Sequence, residues 1–319
     1  MSTRIEAAGL AAGQPDAPSS GGDRRATKPP KQGRGLMSDG RRRSPVAIVV
    51  MTALVALWLL PTIGLLVTSL RDRTEASESG WWTVLYNPAN FGFTFDNYRG
   101  VLEGTDIGSG FINSLVVAIP ATVIPIMFAA FAAYAFTFMN FRGKDVLFIA
   151  IVAVMVVPIQ VAFQPMLNLL GPRGLGISGE YLAVWLLHTG FGMPLAVYTL
   201  RNYMTTLPKT VIESAKIDGA SHFQTFWRLI VPMSVPALAA FAILQFLWVW
   251  NDLLIARLFL GSGENSTVIV ELQGLIGTAG LGQELLTAGA FISMALPMVV
   301  FFGLQRFFVR GLTSGAVKG

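Results

Sequence analysis

The feature that most constrains this chain is an uninterrupted apolar run at residues 46–70, which holds 25 residues and no charged side chain. As an α-helix the run is about 37 Å long, which exceeds the roughly 30 Å hydrocarbon core of a bilayer. It is too long for the hydrophobic region of a signal peptide, and the polar stretch before it is too long for that peptide's charged region. We therefore predict a retained first transmembrane helix.

Five further apolar runs follow, and each is long enough to cross a bilayer as a helix. They lie at residues 111–138, 146–170, 182–204, 237–260 and 285–309. The chain is 53% hydrophobic and 13% charged, whereas an ordinary soluble protein carries roughly a quarter charged residues. Prolines inside the runs predict kinks, because neighbouring helices in a bundle satisfy the freed carbonyl groups. The predicted fold is an all-α integral membrane protein with six transmembrane helices.

Lysine and arginine are divided unevenly between the two sets of alternate connections. Eighteen of the 23 lie in the N-terminal stretch, in or beside the second and fourth connections, and in the C-terminal end. Because positive charge is retained on the cytoplasmic side, both termini are predicted to be cytoplasmic. Topology thus accounts for the net charge of +5, and we expect no nucleic-acid partner.

This topology divides the chain into segments. Residues 1–45 are rich in Gly, Pro, Ser, Ala and Arg and lack apolar periodicity, so we predict a disordered basic cytoplasmic tail. Residues 71–110 form an extracytoplasmic segment after the first helix. Residues 111–310 form a five-helix core that contains a cytoplasmic loop at 205–236. Residues 311–319 form a short cytoplasmic tail.

Several chemistries are excluded by what the chain lacks. It has no cysteine and two histidines, so disulfides, thiolate sites and multi-histidine metal centres are not expected. The pair Gly143-Lys144 lacks the preceding glycine of a P-loop and is followed by Asp145, so this chain has no phosphate cradle of its own. The spans hold almost no ionisable groups, and the lone His188 is predicted to be structural. We expect no catalytic residue, metal site or cofactor.

Two stripes of polar and aromatic residues recur at helical spacing inside the spans. They are Gln160, Gln164 and Asn168 on the third span, and Gln245, Trp248 and Asn251 on the fifth. Such stripes could line a path for a polyhydroxyl solute, whose hydroxyls need neutral hydrogen-bond partners and whose apolar faces stack on aromatic rings. The alternative is hydrogen bonding between helices, a common use of polar residues in membrane bundles.

The loop at 205–236 predicts two short helices joined at a glycine. Pro208 suits the start of the first helix, and Gly219 suits the left-handed residue that ends it. Ser221 and Gln224 predict a capping box at the start of the second helix. The first helix is expected to have an apolar side made of Val211, Ile212, Ala215 and Ile217. Small residues at the bend favour docking by another protein, and the alternative is an amphipathic pair that lies against the membrane or the bundle.

The same loop carries a family resemblance. The residues concerned are Glu213, Ser214, Ala215, Asp218, Gly219, Ala220 and, thirteen residues after the glycine, Pro232. This arrangement resembles the E-A-A-x-x-x-G-x9-I-x-L-P loop in permease subunits of binding-protein-dependent ABC importers. Ser214 replaces the first alanine, Leu229 the isoleucine and Val231 the leucine, and each replacement keeps size or apolarity.

Further stretches resemble the maltose-type carbohydrate importer permeases. They lie at residues 95–98, 113–115, 132–136, 141–144, 250–252 and 311–319. The resemblance covers nearly everything from about residue 80 onward, whereas the tail at 1–45 has no counterpart.

The resemblance implies a type I ABC importer permease of the inner (cytoplasmic) membrane, with two short cytoplasmic coupling helices. The implied partners are a sister permease, two cytoplasmic ATPase subunits, an extracytoplasmic solute-binding protein and a mono- or oligosaccharide substrate. The residues implied to couple the chain to the ATPase are Glu213, Ser214, Ala215, Asp218, Gly219, Ala220, Ser221 and Pro232. A self-contained polyol or sugar channel is the alternative, and it would need no docking loop.

Overall fold

The computed structural model describes residues 44–88, 91–277 and 282–313, with side chains described as far as residue 306. The chain separates into two units, residues 1–52 and 53–319. Of the first unit the structure describes only residues 44–52, which begin the first helix. The predicted tail at 1–45 therefore lies almost wholly outside the described residues, as do residues 314–319 of the predicted C-terminal tail.

The described secondary structure is helical, apart from one isolated bridge between Arg71 and Phe93. In chain order the α-helices are α1 (Pro45–Ser69), α2 (Arg73–Glu78), α3 (Asp96–Gly104), α4 (Ile107–Phe138), α5 (Lys144–Val154), α6 (Phe163–Leu170), α7 (Tyr181–Met204), α8 (Lys209–Ile217), α9 (His222–Thr225), α10 (Val231–Trp250), α11 (Leu254–Phe259), α12 (Val268–Gly277) and α13 (Gln283–Thr313). Two 3₁₀ helices lie at Trp81–Leu85 and Ile159–Ala162, and a π-helical turn at Phe226–Ile230 joins α9 to α10.

The described part of the chain contains five helical stretches long and apolar enough to cross a membrane. They are α1, α4, α7, the continuous α9–α10 stretch and α13. A sixth crossing is obtained if α5 and α6, which are bent by 93° at a short break, count as one span. The helical membrane fold expected from the sequence is therefore confirmed, with one span in an unexpected form.

The third predicted span, 146–170, is not a single helix. α5 ends at Val154, and the backbone leaves the helical conformation before it reaches Pro158, whose ψ of 127° is extended. Proline disfavours the helical region for the residue before it, here Val157. The apolar run continues through this point, so hydropathy alone concealed the break. We call residues 155–158 the elbow.

The fifth predicted span, 237–260, has different bounds in the structure. Its helix begins at His222, passes through the π-helical turn and ends at Trp250. A separate helix, α11, follows because the Asp252 carboxylate accepts the N–H groups of Ile255 (3.0 Å) and Ala256 (3.3 Å). A carboxylate at a helix N-terminus satisfies otherwise unpaired donors, so Asp252 starts a new helix at this place.

The core of the second unit is built on small residues. α4 packs along α7, and α10 packs against α4, α7 and α13. Alanines at the helix contacts are completely buried, including Ala118, Ala121, Ala129 and Ala133 on α4 and Ala183 and Ala196 on α7. Small side chains allow helix backbones to approach closely, which is the main source of attraction between helices in a membrane. The three helices α4, α7 and α10 therefore form a closely packed frame.

The described part of the predicted extracytoplasmic segment, 71–110, contains the short helices α2 and α3 and the 3₁₀ helix at Trp81–Leu85. Arg71 is buried, and its guanidinium donates to the carbonyls of Glu75 and Ser79 at 2.8 Å each. The Asn97 amide donates to the carbonyls of Ser69 (2.9 Å) and Arg71 (2.8 Å), which fixes α3 to the end of α1. The following helix, α4, begins at Ile107 rather than at 111.

Candidate functional site

The loop between α7 and α10 begins with a short helix anchored at one residue. Pro208 stands at the N-cap of α8, one residue before the first turn in which the sequence placed it. Ile212 is buried in an apolar cluster that also holds Phe226 and Met204. The predicted apolar side of α8 is only partly correct, because Ile217, the last residue of the helix, is 85% exposed. The helix therefore rests on Ile212 and leaves most of its surface uncovered.

The bend after α8 has the geometry predicted for it. Gly219 has a φ of +78°, in the left-handed region that glycine adopts without strain. The Ala220 N–H donates to the carbonyl of Ala215 (2.9 Å) and the Gly219 N–H to that of Lys216 (3.1 Å), which closes the end of the helix. A Cβ added at Gly219 would meet no atom within 4 Å. Glycine is therefore needed here for backbone conformation, and the space beside it is open.

The second helix of the loop begins with the predicted capping box. The Gln224 N–H donates to Ser221 Oγ (3.2 Å), and the Ser221 N–H donates to Gln224 Oε1 (2.9 Å). The Tyr134 hydroxyl of α4 lies 2.9 Å from His222 Nδ1, and Phe131 of α4 stacks on Phe226 at 4.5 Å. Because α9 continues into α10, the predicted second short helix is the first part of a long one.

The structure brings most of the predicted docking residues together at this bend. Glu213, Ser214, Asp218, Gly219 and Ser221 are exposed, and Ala215 and Ala220 are partly exposed. Pro232 lies farther on, exposed in the first turn of α10.

A small cavity beside the bend contains residues that the sequence pattern did not single out. It measures about 280 Å³ and lies between the end of α4 and α8. Glu213 borders it between Lys209 and Lys216, opposite Thr137 and Asn140. Lys209 and Lys216 lie four residues before and three residues after Glu213, and residues at these spacings share a helix face. This spacing was the only sequence feature that indicated their place beside Glu213.

The two predicted polar stripes differ in their surroundings. On α6, Gln164 and Asn168 are exposed and their amides lie 3.5 Å apart, and Gln160 is exposed in the preceding 3₁₀ helix. On α10, the amide of Gln245 is buried and donates to the carbonyl of Ala121 on α4 (3.2 Å). This bond is of the interhelical kind considered as the alternative use of such residues.

The remaining members of the α10 stripe have different surroundings. Asn251 donates to the carbonyl of Leu247 in its own helix (2.8 Å). Trp248 borders a second cavity, of about 330 Å³, between the elbow, α7 and α10. Gln245 also borders this cavity, whereas none of the three α6-side residues does.

The histidine predicted to be structural, His188, contacts the Trp248 side chain that borders this second cavity. His188 is buried on α7, and its ring contacts that of Trp248 edge to face at 5.5 Å. Its Nε2 atom lies 3.6 Å from Asp252 Oδ2. Among the described residues, no group of three or more His, Cys, Asp or Glu side chains is arranged to hold a metal ion.

Membrane-length helices, with an exposed glycine bend between two of them, define a multi-pass membrane protein. The chain belongs to the family of binding-protein-dependent transport system inner membrane components, which matches residues 125–314. It is therefore a permease subunit of the kind that ABC importers contain.

Individual relatives cover most of the chain. It is 50% identical to the osmoprotective compounds uptake permease protein GgtD of Synechocystis sp., over 87% of this chain and 93% of the relative. It is 40% identical to the alpha-glucoside transport system permease protein AglG of Rhizobium meliloti, over 87% of this chain and 99% of the relative.

The fold also matches a chain in the crystal structure of a bacterial ABC transporter involved in the import of the acidic polysaccharide alginate. The TM-score is 0.69 at 20% identity, with 82% of this chain and 95% of the other covered. At this identity the match supports the fold alone.

Proposed function

We propose that this chain is one of two permease subunits in an ATP-driven, binding-protein-dependent importer of sugars. The observation that carries the proposal is the exposed glycine bend at residues 213–221, held by α4 and α7 and open for a partner to approach. The chain has no phosphate-binding loop, so a separate pair of ATPase subunits supplies the energy. A sister permease completes the membrane path, and a solute-binding protein delivers the sugar.

In this proposal the residues of the bend have different roles in docking to the ATPase subunit. Glu213 is the polar anchor in a cleft of the ATPase subunit, where Ser214 and Ala220 also make contact. Ala215 and Gly219 permit close approach, while Asp218 and Ser221 shape the bend and Pro232 begins the rigid part of α10. Closure of the ATPase pair on ATP then moves the permeases from the inward-facing to the outward-facing state.

The orientation belongs to the same proposal. Eighteen of the 23 lysines and arginines fall on the side that carries the bend and both termini. The retention of positive charge on the cytoplasmic side supports a cytoplasmic bend, where ATPase subunits reside. The segment at 71–110 then faces the binding protein on the opposite side.

The substrate we propose is a small sugar that contains an α-glucosyl ring. This class is supported by the relative named as an alpha-glucoside permease, which shares 40% of its residues with the chain. The two stripes, Gln160, Gln164 and Asn168 with Gln245, Trp248 and Asn251, are proposed to face the path of the sugar. Neutral amides suit hydroxyl groups because they donate and accept without carrying charge into the membrane.

The test is ATP hydrolysis by the reconstituted complex, with the sister permease, both ATPase subunits and the binding protein loaded from a panel of sugars. Stimulation by one loaded sugar, together with its uptake, is the expected result. Glu213→Lys should reduce co-purification of the ATPase, whereas Glu103→Lys, in α3 on the other side, should not. A chain that co-purifies with no ATPase would overturn the proposal in favour of a self-contained channel.

A further inference from the structure

The cavity at the elbow lies at the break between α5 and α6, beside the middle of α7. α5 has 11 residues, about 16 Å of helix, so it ends about halfway across the roughly 30 Å hydrocarbon core. The opposite wall is formed by Gly190, Gly192 and Leu195, near the middle of α7. Substrate sites of transporters are found at this depth and are commonly built from discontinuous helices.

The interrupted backbone at the elbow itself indicates a polar occupant. Non-helical backbone is tolerated at membrane depth only where it is buried in protein or lines a cavity that admits water. Residues 155–158 are exposed in this chain, and Met155, Val157 and Pro158 border the cavity. The N–H groups of Met155, Val156 and Val157 donate to the carbonyls of residues 152–154, and Pro158 has no N–H. The elbow therefore provides carbonyl oxygens along a wall whose side chains are mostly apolar.

α10 offers one aromatic face and one amide to the cavity. Trp248 is 36% exposed, and the edge-to-face contact with the buried His188 holds its ring. Gln245 is 3% exposed and lies one helical turn from Trp248. One of its N–H groups donates to the carbonyl of Ala121, so its second N–H and its carbonyl oxygen remain for a hydroxyl. An apolar ring face beside a neutral amide suits a pyranose, which presents C–H groups on its faces and hydroxyls on its rim.

The position of the Gln245 amide depends on a glycine of the neighbouring helix. A Cβ added at Gly192 would lie 2.8 Å from Gln245 Nε2 and 2.9 Å from Oε1, closer than real Cβ atoms approach such atoms. At Gly190, on the same wall, an added Cβ would meet no atom within 4 Å. Gly192 is therefore a positioning residue for the amide, while Gly190 leaves the wall open.

We propose that this cavity is a subsite for one pyranose ring of the transported sugar, with Trp248 as the stacking platform and Gln245 as the hydroxyl partner. Its volume of about 330 Å³ is at the lower end of the range for small-ligand pockets, about 300–1,000 Å³, which favours a single ring. The inference rests on the proposed function and assigns a sugar contact to this subunit rather than leaving recognition to the sister permease or the binding protein.

The experiment measures the sugar held by the complete complex. Permeases, ATPase subunits and loaded binding protein are trapped with ATP and orthovanadate, and the radiolabelled sugar retained per complex is counted. The probes are trehalose, maltose and sucrose, each of which carries an α-glucosyl ring. Stimulation of ATP hydrolysis by the loaded binding protein is measured in parallel, because it reports whether each variant complex still assembles and docks.

For Trp248→Ala we expect retention to fall about tenfold, because the stacking face and the area it buries are both lost. Trp248→Phe should keep at least about a third of the retention, because a ring face remains. Trp58→Ala is the matched control, since Trp58 is 81% exposed on α1 and far along the chain from the cavity. Stimulation of ATP hydrolysis should be unchanged in Trp58→Ala.

Two further variants test the amide. Gln245→Leu should lower retention about tenfold, and it decides the question if Trp248→Ala fails to assemble. Gly192→Ala should lower retention more than Gly190→Ala, which adds the same methyl group to the same wall without touching Gln245. Wild-type retention in Gln245→Leu and Trp248→Ala would overturn the inference while the importer stands. A wild-type complex that neither retains nor imports any of the three sugars would overturn the proposed substrate class together with the subsite.

Discussion

The α4–α7 pair and the α5–α6 pair are both apolar, yet they are built in opposite ways. α4 and α7 pack along each other and bury several alanines, and both remain continuous despite internal prolines. In α5 no residue is buried, and the chain turns by 93° before α6. Apolar composition therefore makes a segment suitable for the membrane, whereas the small residues of a partner helix decide whether it is a rigid part of the frame.

The largest effect is expected on stability, when the packing of α4 against α7 is disrupted. Ala133→Leu on α4 places a larger side chain at a completely buried position and should destabilise the frame by about 1–3 kcal/mol. Ala153→Leu on the exposed α5 is the control and should change stability little. Thermal unfolding of the purified complex measures both. Equal melting temperatures would mean that the two pairs do not differ in the way described.

The next largest effect is expected on the coupling of ATP hydrolysis to uptake, when the bend at residues 213–221 is changed. Gly219→Val should leave the complex assembled but uncouple ATP hydrolysis from uptake, because a β-branched residue cannot easily adopt a φ of +78°. Gly303→Val, where an added Cβ also meets nothing within 4 Å, is the control on α13. Sugar uptake per ATP hydrolysed is the measurement, and an unchanged ratio would remove the bend from the coupling mechanism.

A smaller effect, on sugar uptake, is expected at the elbow. It tests the α5–α6 pair, whereas the two preceding predictions concern the α4–α7 pair and the bend. Pro158→Ala removes the restriction on Val157 and allows α5 to continue toward α6. We expect uptake to fall several-fold while thermal stability stays within about 1 kcal/mol, since no buried contact is lost. Pro165→Ala, beyond the break, should not change uptake. A variant with wild-type uptake would show that transport does not depend on the elbow.

The smallest effect should come from a single hydrogen bond between the frame and the bend. Tyr134→Phe removes the hydroxyl that lies 2.9 Å from His222 Nδ1 and should cost about 0.5–1.5 kcal/mol. Tyr86→Phe is the control, because that side chain is 71% exposed. Unfolding temperatures of the two variants provide the measurement, and a loss confined to Tyr86→Phe would contradict the assignment.

The sequence was sufficient to predict the backbone conformation where that conformation depends on a few neighbouring residues. Gly219 and the Ser221–Gln224 capping box were predictable because their geometry depends on a few neighbouring residues. The elbow was not predictable, because Pro158 resembles Pro120, Pro125 and Pro194, which lie inside continuous helices. What distinguishes Pro158 is the missing buried face of α5, a tertiary property.

The same reasoning applies to the candidate site. The polar stripe on α10 was visible as a spacing, but its members have separate surroundings that the spacing does not contain. Gln245 bonds to Ala121 across 124 residues of chain, and its place beside the cavity depends on Gly192 of α7. Similarly, the start of α11 soon after α10 depends on Asp252, whose contact with His188 joins the connection after α10 to α7.

The helical stretch from His222 to Trp250 is unbroken, so the bend and the cavity lie at the two ends of one lever. Its 29 residues make a rod about 43 Å long, so a tilt of about 5° around the loop end carries the far end through about 4 Å. That displacement is comparable to the thickness of a sugar ring. The π-helical turn at Phe226–Ile230 is the natural flexing point of the rod, because its hydrogen-bond ladder is the least regular part.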